Sequence, residues 1–482
     1  MLAFLAASAA LGAALVGASS DHAALFRWVT EHGGGSHVAI GVSESGLRGL
    51  VAQRACAPGD LLLEVPLSLC IADGTDEENT PLAGESPRWT WSLAWNVQLA
   101  LSVIEQKASG EANPFLDSWP KVPPPLPTAC DPAELSLASD PSLSSKADEA
   151  FFWLDEQYWI ARDAAEAADE KLLDTFPEAR AFREAMEFVW SRCLRLSSGP
   201  HGVRRLLVPL LDLANHEPVP SAMYAFGHSA QCGPSIRLHA ARAMQAGEAV
   251  TITYGEHDST HFATYYGFAP APNPYDAVQV SLADVLTTLP AEQTVPAHGW
   301  QAAIEALTDA DEDSADAATL GARTFDLREI GPSAELVDLL IRLLPPPEGG
   351  SAAACACRAI ASTAGAIEGA LWQYGPDGAE ASVAADEALL SSSDSTLSDV
   401  GALLVRLRLS RKNLLLSLRT QMGELAAVCD RDPADGALQL AQAAAEASEP
   451  PSVYPALDAI PVEEMQAWER RSWDWDQGSW AD

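Results

Sequence analysis

The sequence predicts an α+β chain, and three stretches carry that prediction. Val250, Ile252 and Tyr254 alternate with Thr251 and Thr253, a period of two that describes a strand ended by Gly255. Trp91, Trp95, Leu99 and Val103 recur at intervals of four, the spacing of a helix face. Leu403, Leu404, Leu407, Leu414, Leu415 and Leu418 share one face of a second helical region. Strand-like runs on either side of a helical stretch, followed by a longer helical region, make an α+β chain.

Met1 to Ser20 is uncharged and rich in Ala and Leu, and Val16-Gly17-Ala18 offers a small-residue cleavage site. This predicts a signal or targeting segment over 1–20. Without Lys or Arg at its start, and at this length, it also reads as a membrane anchor. Leu25 to Trp28 opens an amphipathic segment that stops at Gly33-Gly34-Gly35, and Val38-Ala39-Ile40 follows. Gly46 and Gly49 let backbone amides approach a ligand, although Gly-x-x-Gly is as often a hairpin. Beyond the Pro58-Gly59 turn, Leu61 to Pro66 reads as a buried strand. The helical insertion covers about 80–196, with a Pro- and Ser-rich loop expected from Pro120 to Ser145. The core domain spans 21–280, a helical domain 292–430, and an acidic tail with Trp468, Trp473, Trp475 and Trp480 occupies 431–482. Arg406, Arg408, Arg411, Lys412 and Arg419 form a dense basic cluster, expected to complement the acidic domain beside it.

The 482 residues carry a net charge of −38 and a pI near 4.4. That excludes a protein that grips a nucleic-acid backbone directly, and it steers basic partners in at low salt. The eight cysteines are dispersed, with only Cys355 and Cys357 close together. They form neither a dense disulfide framework nor a paired metal motif, and no metal is expected.

Two runs concentrate the chemistry. Val208 to His216 is apolar until Asp212 and then stops at Asn215-His216, with Glu217-Pro218 beyond. Taken alone it is an ordinary strand and turn. The second run ends in Tyr254-Gly255, followed by Tyr265-Tyr266-Gly267-Phe268. In order and spacing the two together resemble the SET-domain methyltransferases, in particular the branch similar to Rubisco large-subunit methyltransferase, and the resemblance covers roughly 25–429. It implies a SET core of short β-sheets with a helical insertion, in which a threaded chain end brings the two runs together, and an all-α C-terminal substrate-binding domain.

The resemblance implies S-adenosylmethionine as cofactor and a lysine-containing protein as substrate. Gly46, Leu47 and Arg48 would hold the methionine end of the cofactor and Arg192 its carboxylate, with Asp212, Asn215 and His216 completing the cofactor-binding set. Tyr254 would be the catalytic tyrosine, and Tyr266 and Phe268 would line the lysine channel beside it. The resemblance also implies a monomer without nucleic-acid or membrane partners, apart from an N-terminal anchor. Relatives of this kind work in chloroplast, cytosol or nucleus, whereas the N-terminal segment points to secretory or plastid targeting. The alternatives are a protein-histidine methyltransferase, a non-catalytic SET-like interaction module, and transfer to a small molecule or free peptide. Cys193-Leu194 after Arg192 offers no amide for an imidazole, which leans towards lysine. His257-Asp258-Ser259-Thr260-His261 has a zinc-protease histidine spacing, but Asp258 stands where that chemistry needs Glu. Neither a P-loop nor a dinucleotide-binding glycine motif is present.

Overall fold

The protein, seen in a computed structural model, is described over residues 20–42, 48–74, 85–196, 203–288, 321–344, 351–374, 379–392 and 397–448. The described residues within Met1–Thr128 and Lys146–Glu256 form one unit, and those within Ala129–Ser145 and His257–Ser452 form another.

The first unit holds three small sheets. Leu61–Pro66 is buried from Leu62 onward and pairs antiparallel with both Gly35–Ser36 and Gly233–Ala240, the latter continuing to Ala222–Ser229. Burial on both faces explains why this strand reads as a continuous apolar run rather than an alternation. Its one acid, Glu64, is offset by Ser235 Oγ and Arg237 Nε, each 2.9 Å away. Val38–Val42, Arg48–Ala52 and Ala249–Ile252 make the second sheet, in which Asn215–His216 runs parallel to Thr251–Ile252. Ile71–Ala72, Arg204–Leu207 and Leu194–Leu196 form the third. Helices Trp95–Ala108 and Ala179–Arg192 pack together, with Leu99 and Val103 buried as their spacing requires.

The expected loop over Pro120 to Ser145 contains helix Pro132–Leu135 and the start of the long helix Pro141–Ala168. Both begin at Asp-Pro. Asp131 Oδ1 accepts from Glu134 N at 2.8 Å and Asp140 Oδ1 from Leu143 N at 3.4 Å. An aspartate cap followed by proline at the first helical position is a start signal that the local Pro and Ser content obscures.

The second unit is mainly helical. Leu336, Leu340, Ile360, Ile367, Leu415, Leu418 and Met422 are among the residues of its core. It also contains a three-stranded antiparallel sheet, Ala277–Ser281, Thr324–Arg328 and Gly331–Pro332, which the helical reading of this region did not anticipate. Cys357 and Cys429 form a disulfide between helices Ala352–Trp372 and Asp399–Arg431, a pairing that spacing does not reveal. The basic cluster meets acids of its own unit rather than those of the neighbouring domain: Arg408 and Lys412 bond Asp386, Arg411 bonds Asp140 and Arg419 bonds Glu380, while Arg406 is exposed.

Apart from Ser20 and residues 431–448, which end one helix and form helix Pro433–Ser448, the expected segments at 1–20 and 431–482 lie outside the described residues. Among the described residues no helix is long and apolar enough to cross a membrane, and no group of three or more His, Cys, Asp or Glu is placed to hold a metal ion.

Candidate active site

The first motif run is neither a continuous strand nor a simple turn. Strand Arg204–Leu207 ends, the chain reverses at Leu210 with φ 66° and ψ −42°, and a single 3-10 turn covers Leu211–Leu213. A side-chain-bearing residue in this conformation costs on the order of 1–3 kcal/mol and persists only where packing enforces it. Leu210 and Leu211 are buried, which supplies that packing. The reversal delivers Asn215–His216 alongside Thr251–Ile252.

At this junction the polar groups interlock. Asn215 Nδ2 donates to the Arg48 carbonyl at 3.2 Å. A Cβ on Gly49 would lie 2.3 Å from that same amide nitrogen, so the glycine makes room for Asn215. Strand Ala249–Ile252 stops two residues before Tyr254, earlier than the alternation predicts. Tyr254 is instead held by its own bonds. Its N–H donates to His216 Nδ1 at 3.1 Å, and its hydroxyl donates to the Ala214 carbonyl at 2.7 Å. Accepting at Nδ1 requires that nitrogen to be bare, which leaves His216 neutral with its proton on Nε2. Burial pushes the Tyr254 phenol above its ordinary range, so it stays protonated. Thr251 is as buried as its apolar neighbours because its hydroxyl bonds Glu217 and Ser221.

Beside these groups lie three basic side chains, Arg192, Lys107 and Arg48. Arg192 Nη1 donates to Asp212 Oδ2 at 2.7 Å, with the acid side chain almost wholly buried. Burial raises the Asp212 carboxyl, and Arg192, Arg48 and the Trp119 indole hold the rise back. The Arg192 guanidinium lies 5.3 Å from the Trp119 ring, and Lys107 Nζ lies 5.2 Å from that ring and 5.3 Å from Phe188. Arg48 Nη1 sits 3.1 Å from His22 Nε2. Lys107 and Arg48 are both lowered, first by burial and then by the Arg192 charge. Arg192 Nε is buried and makes no hydrogen bond among the described residues.

The structure therefore brings together Arg48, Arg192, Asp212, Asn215, His216 and Tyr254. Gly46 and Leu47 lie outside the described residues. Tyr266 and Phe268 belong to the second unit, at the end of helix Ser259–Tyr266, where Gly267 turns the chain with φ 76°. They pack against Phe262 with ring centroids 5.6 and 5.2 Å away. His257 and His261 stack face to face, 3.9 Å between centroids. Sequence reasoning did not reach His22 and Lys107, and it gave Trp119 no role. Trp119 stands in Asn113-Pro114-Phe115-Leu116-Asp117-Ser118-Trp119-Pro120, a run that resembles a recurrent phrase of the same branch and carries two aromatics beside a capped turn.

No family model matches the chain. Two similar proteins are both named SET domain-containing protein 4. That of Mus musculus is 24% identical over 261 residues, covering 51% of this chain and 57% of its own length. That of Homo sapiens is 24% identical over 260 residues, covering 50% and 57%. The chain thus spans a little over half the length of these relatives. Among solved structures, the SET domain of LSMT bound to lysine and AdoHcy superposes with TM-score 0.58 at 16% identity, over 86% of this chain and 94% of that one. Rubisco LSMT bound to sinefungin and monomethyllysine gives the same TM-score of 0.58, identity of 16% and coverage of 86% and 94%. Rubisco LSMT bound to AdoMet gives 0.57 at 16% identity, again over 86% and 94%. The small sheets set among helices are those of the SET fold. More particularly, with its helical C-terminal region, the fold is that of Rubisco LSMT.

Proposed function

We propose that this chain is an S-adenosylmethionine-dependent protein methyltransferase acting on a lysine amine. The observation that carries the reading is the Tyr254 hydroxyl, fixed on the Ala214 carbonyl where the Asn215–His216 and Val250–Tyr254 runs meet. The solved neighbours hold lysine or monomethyllysine with AdoHcy or sinefungin, which supports the same ligand classes here.

The residues present fit such a cofactor. Arg192 keeps a buried Nε–H without an acceptor, beside a single buried acid, Asp212, that its Nη1 already bonds. A ligand carboxylate supplies what that donor lacks. Asn215, resting on Gly49, would present its amide carbonyl to the ligand while its nitrogen holds the Arg48 carbonyl. When bound, the sulfonium would supply an electrophilic methyl group to the amine lone pair, with S-adenosylhomocysteine as the leaving group.

The amine must lose its proton to solvent before transfer, because an ammonium has no lone pair. Tyr254 takes no part as a base: its own proton is held by Ala214 and by burial. Its oxygen lone pairs remain to accept from the amine N–H and so aim the nitrogen. His216 is excluded as a base at Nδ1 by the Tyr254 N–H it accepts. Its contribution is to fix the backbone of Tyr254.

The test is calorimetric titration of the full chain with S-adenosylmethionine and S-adenosylhomocysteine, beside Asn215→Ala. It is followed by labelled-methyl transfer to lysine-rich proteins, with identification of the methylated amino acid. Micromolar binding lost in the variant, with label recovered as methyl-lysine, is the expected result. Folded protein that binds neither compound would sink the enzyme reading in favour of an interaction module. Label on histidine would keep the enzyme and change the substrate.

A further inference from the structure

Helix Pro141–Ala168 buries one stripe, which includes Leu143, Ala147, Ala150, Leu154, Ala161 and Ala165. Its opposite face is unusual for a solvated surface. Phe151, Phe152, Trp159 and Ile160 are 38%, 69%, 49% and 44% exposed. Phe152 and Trp159 are seven residues apart, two helical turns or about 10.5 Å, and so lie in line along the helix. Between and around them the exposed residues include Asp148, Asp155, Glu156, Asp163 and Glu166, against the single exposed base Arg162. The rings already attract cations. Arg162 lies 5.4 Å from the Trp159 centroid, and Arg183 lies 4.8 Å from that of Phe151.

We propose that this face docks a basic amphipathic helix of a partner protein, with apolar residues on one side to meet Phe152 and Trp159 and Lys or Arg flanking them. Charge selects the occupant. The chain's own segment at 449–482 carries eight acids against Arg470 and Arg471, and the segment at 1–19 has no charge at all. A second copy would set the same acids against themselves in a chain of net charge −38. A basic helix gains from each of these features. Its apolar side covers the two rings, its cations meet the acids, and the aromatic faces receive the rest. This docking is independent of methyl transfer.

The probe is a designed peptide of about 20 residues, long enough to hold a helix on contact, with one Leu stripe and Lys elsewhere. A scrambled peptide of identical composition is the control. Titration into the full chain is followed by calorimetry and repeated at higher salt. Saturable binding of one peptide per chain, absent for the scramble, is expected. Phe152→Ser with Trp159→Ser should weaken it by about tenfold or more. Glu156→Lys with Asp163→Lys, which leaves the rings intact, should weaken it and reduce its salt dependence. All four positions are exposed, so circular dichroism should match the parent. Equal binding of the scrambled peptide, or undiminished binding by both variants, overturns the proposal. So does tighter binding after deletion of 449–482, which would make the tail the occupant. A parent dimer that the double serine variant dissociates would make the face a self-interface and overturns it as well.

Discussion

Asp386 in the second unit and Asp212 in the first are both buried acids facing arginine, and their surroundings differ in what is left over. Asp386 accepts from Arg408 Nη2 at 2.6 Å, Arg408 Nε at 3.1 Å and Lys412 Nζ at 2.5 Å. Lys412 completes its set on Ser382, at 2.6 Å to Oγ and 3.3 Å to the carbonyl. No buried polar atom of Asp386, Arg408 or Lys412 lacks a partner. Around Asp212, by contrast, the Arg192 Nε finds no acceptor, and burial together with the Arg192 charge lowers Lys107 and Arg48. A saturated cluster is a strut. An unsaturated one, with a donor left over, is where the proposed cofactor's carboxylate would complete the bonding.

The contrast is broken most severely at the strut. Asp386→Ala leaves Lys412 and Arg408 buried without their anion and should destabilise the protein by about 3–5 kcal/mol. Urea unfolding measures this, and the protein that remains folded should bind S-adenosylmethionine unchanged. Equal loss of cofactor affinity would mean that the two clusters are not separate in function. Tyr254→Phe is the mirror experiment. It deletes one hydroxyl bond, worth about 1 kcal/mol of stability, but should lower kcat by about 100-fold because the amine loses its aim.

Glu187 gives a third kind of buried acid, on the helix that ends at Arg192. Burial pushes its carboxyl up from 4.5 to about 7, with Arg183 pulling the other way. A folded value above the unfolded one means that the native state holds the proton longer. As pH rises from 4.5 to about 7 the unfolded chain releases it first, and stability falls; above about 7 the penalty is constant. The total is on the order of 3 kcal/mol. Glu187→Gln should therefore flatten the stability curve between these values and raise stability at pH 8. A curve unchanged by the substitution would place the titration elsewhere.

What the sequence makes legible here follows from range. Asn215-His216 and Tyr254-Gly255 are short, contiguous phrases, and their union requires only that two runs pair. The fold does this through the parallel bridge of Asn215 to Thr251. Arg192 was reachable because it precedes the first run closely. His22 and Lys107 were not, since nothing local to either encodes an approach to Arg48 or to Trp119 and Phe188. Leu210 shows the same limit in the backbone: an apolar run reads as strand, and the positive φ that breaks it is imposed by burial rather than by a glycine. Strand Thr324–Arg328 escaped because Asp326 and Arg328 dilute a five-residue alternation inside a helical region.

The mildest substitution tests the contrast most closely. Arg192→Lys preserves the cation facing Asp212 but removes the planar fork and with it the unpartnered Nε–H. If that nitrogen only happens to be buried, the lysine variant should be as good a binder as the parent and somewhat easier to fold. If it awaits a carboxylate, stability should change little while S-adenosylmethionine binds about tenfold more weakly, a difference of about 1.4 kcal/mol. The loss should be smaller for a cofactor analogue that lacks the carboxylate, because that analogue never used the missing donor. A decarboxylated analogue affected as strongly as the parent compound would detach Arg192 from the ligand and return it to the role of Asp212's counter-ion.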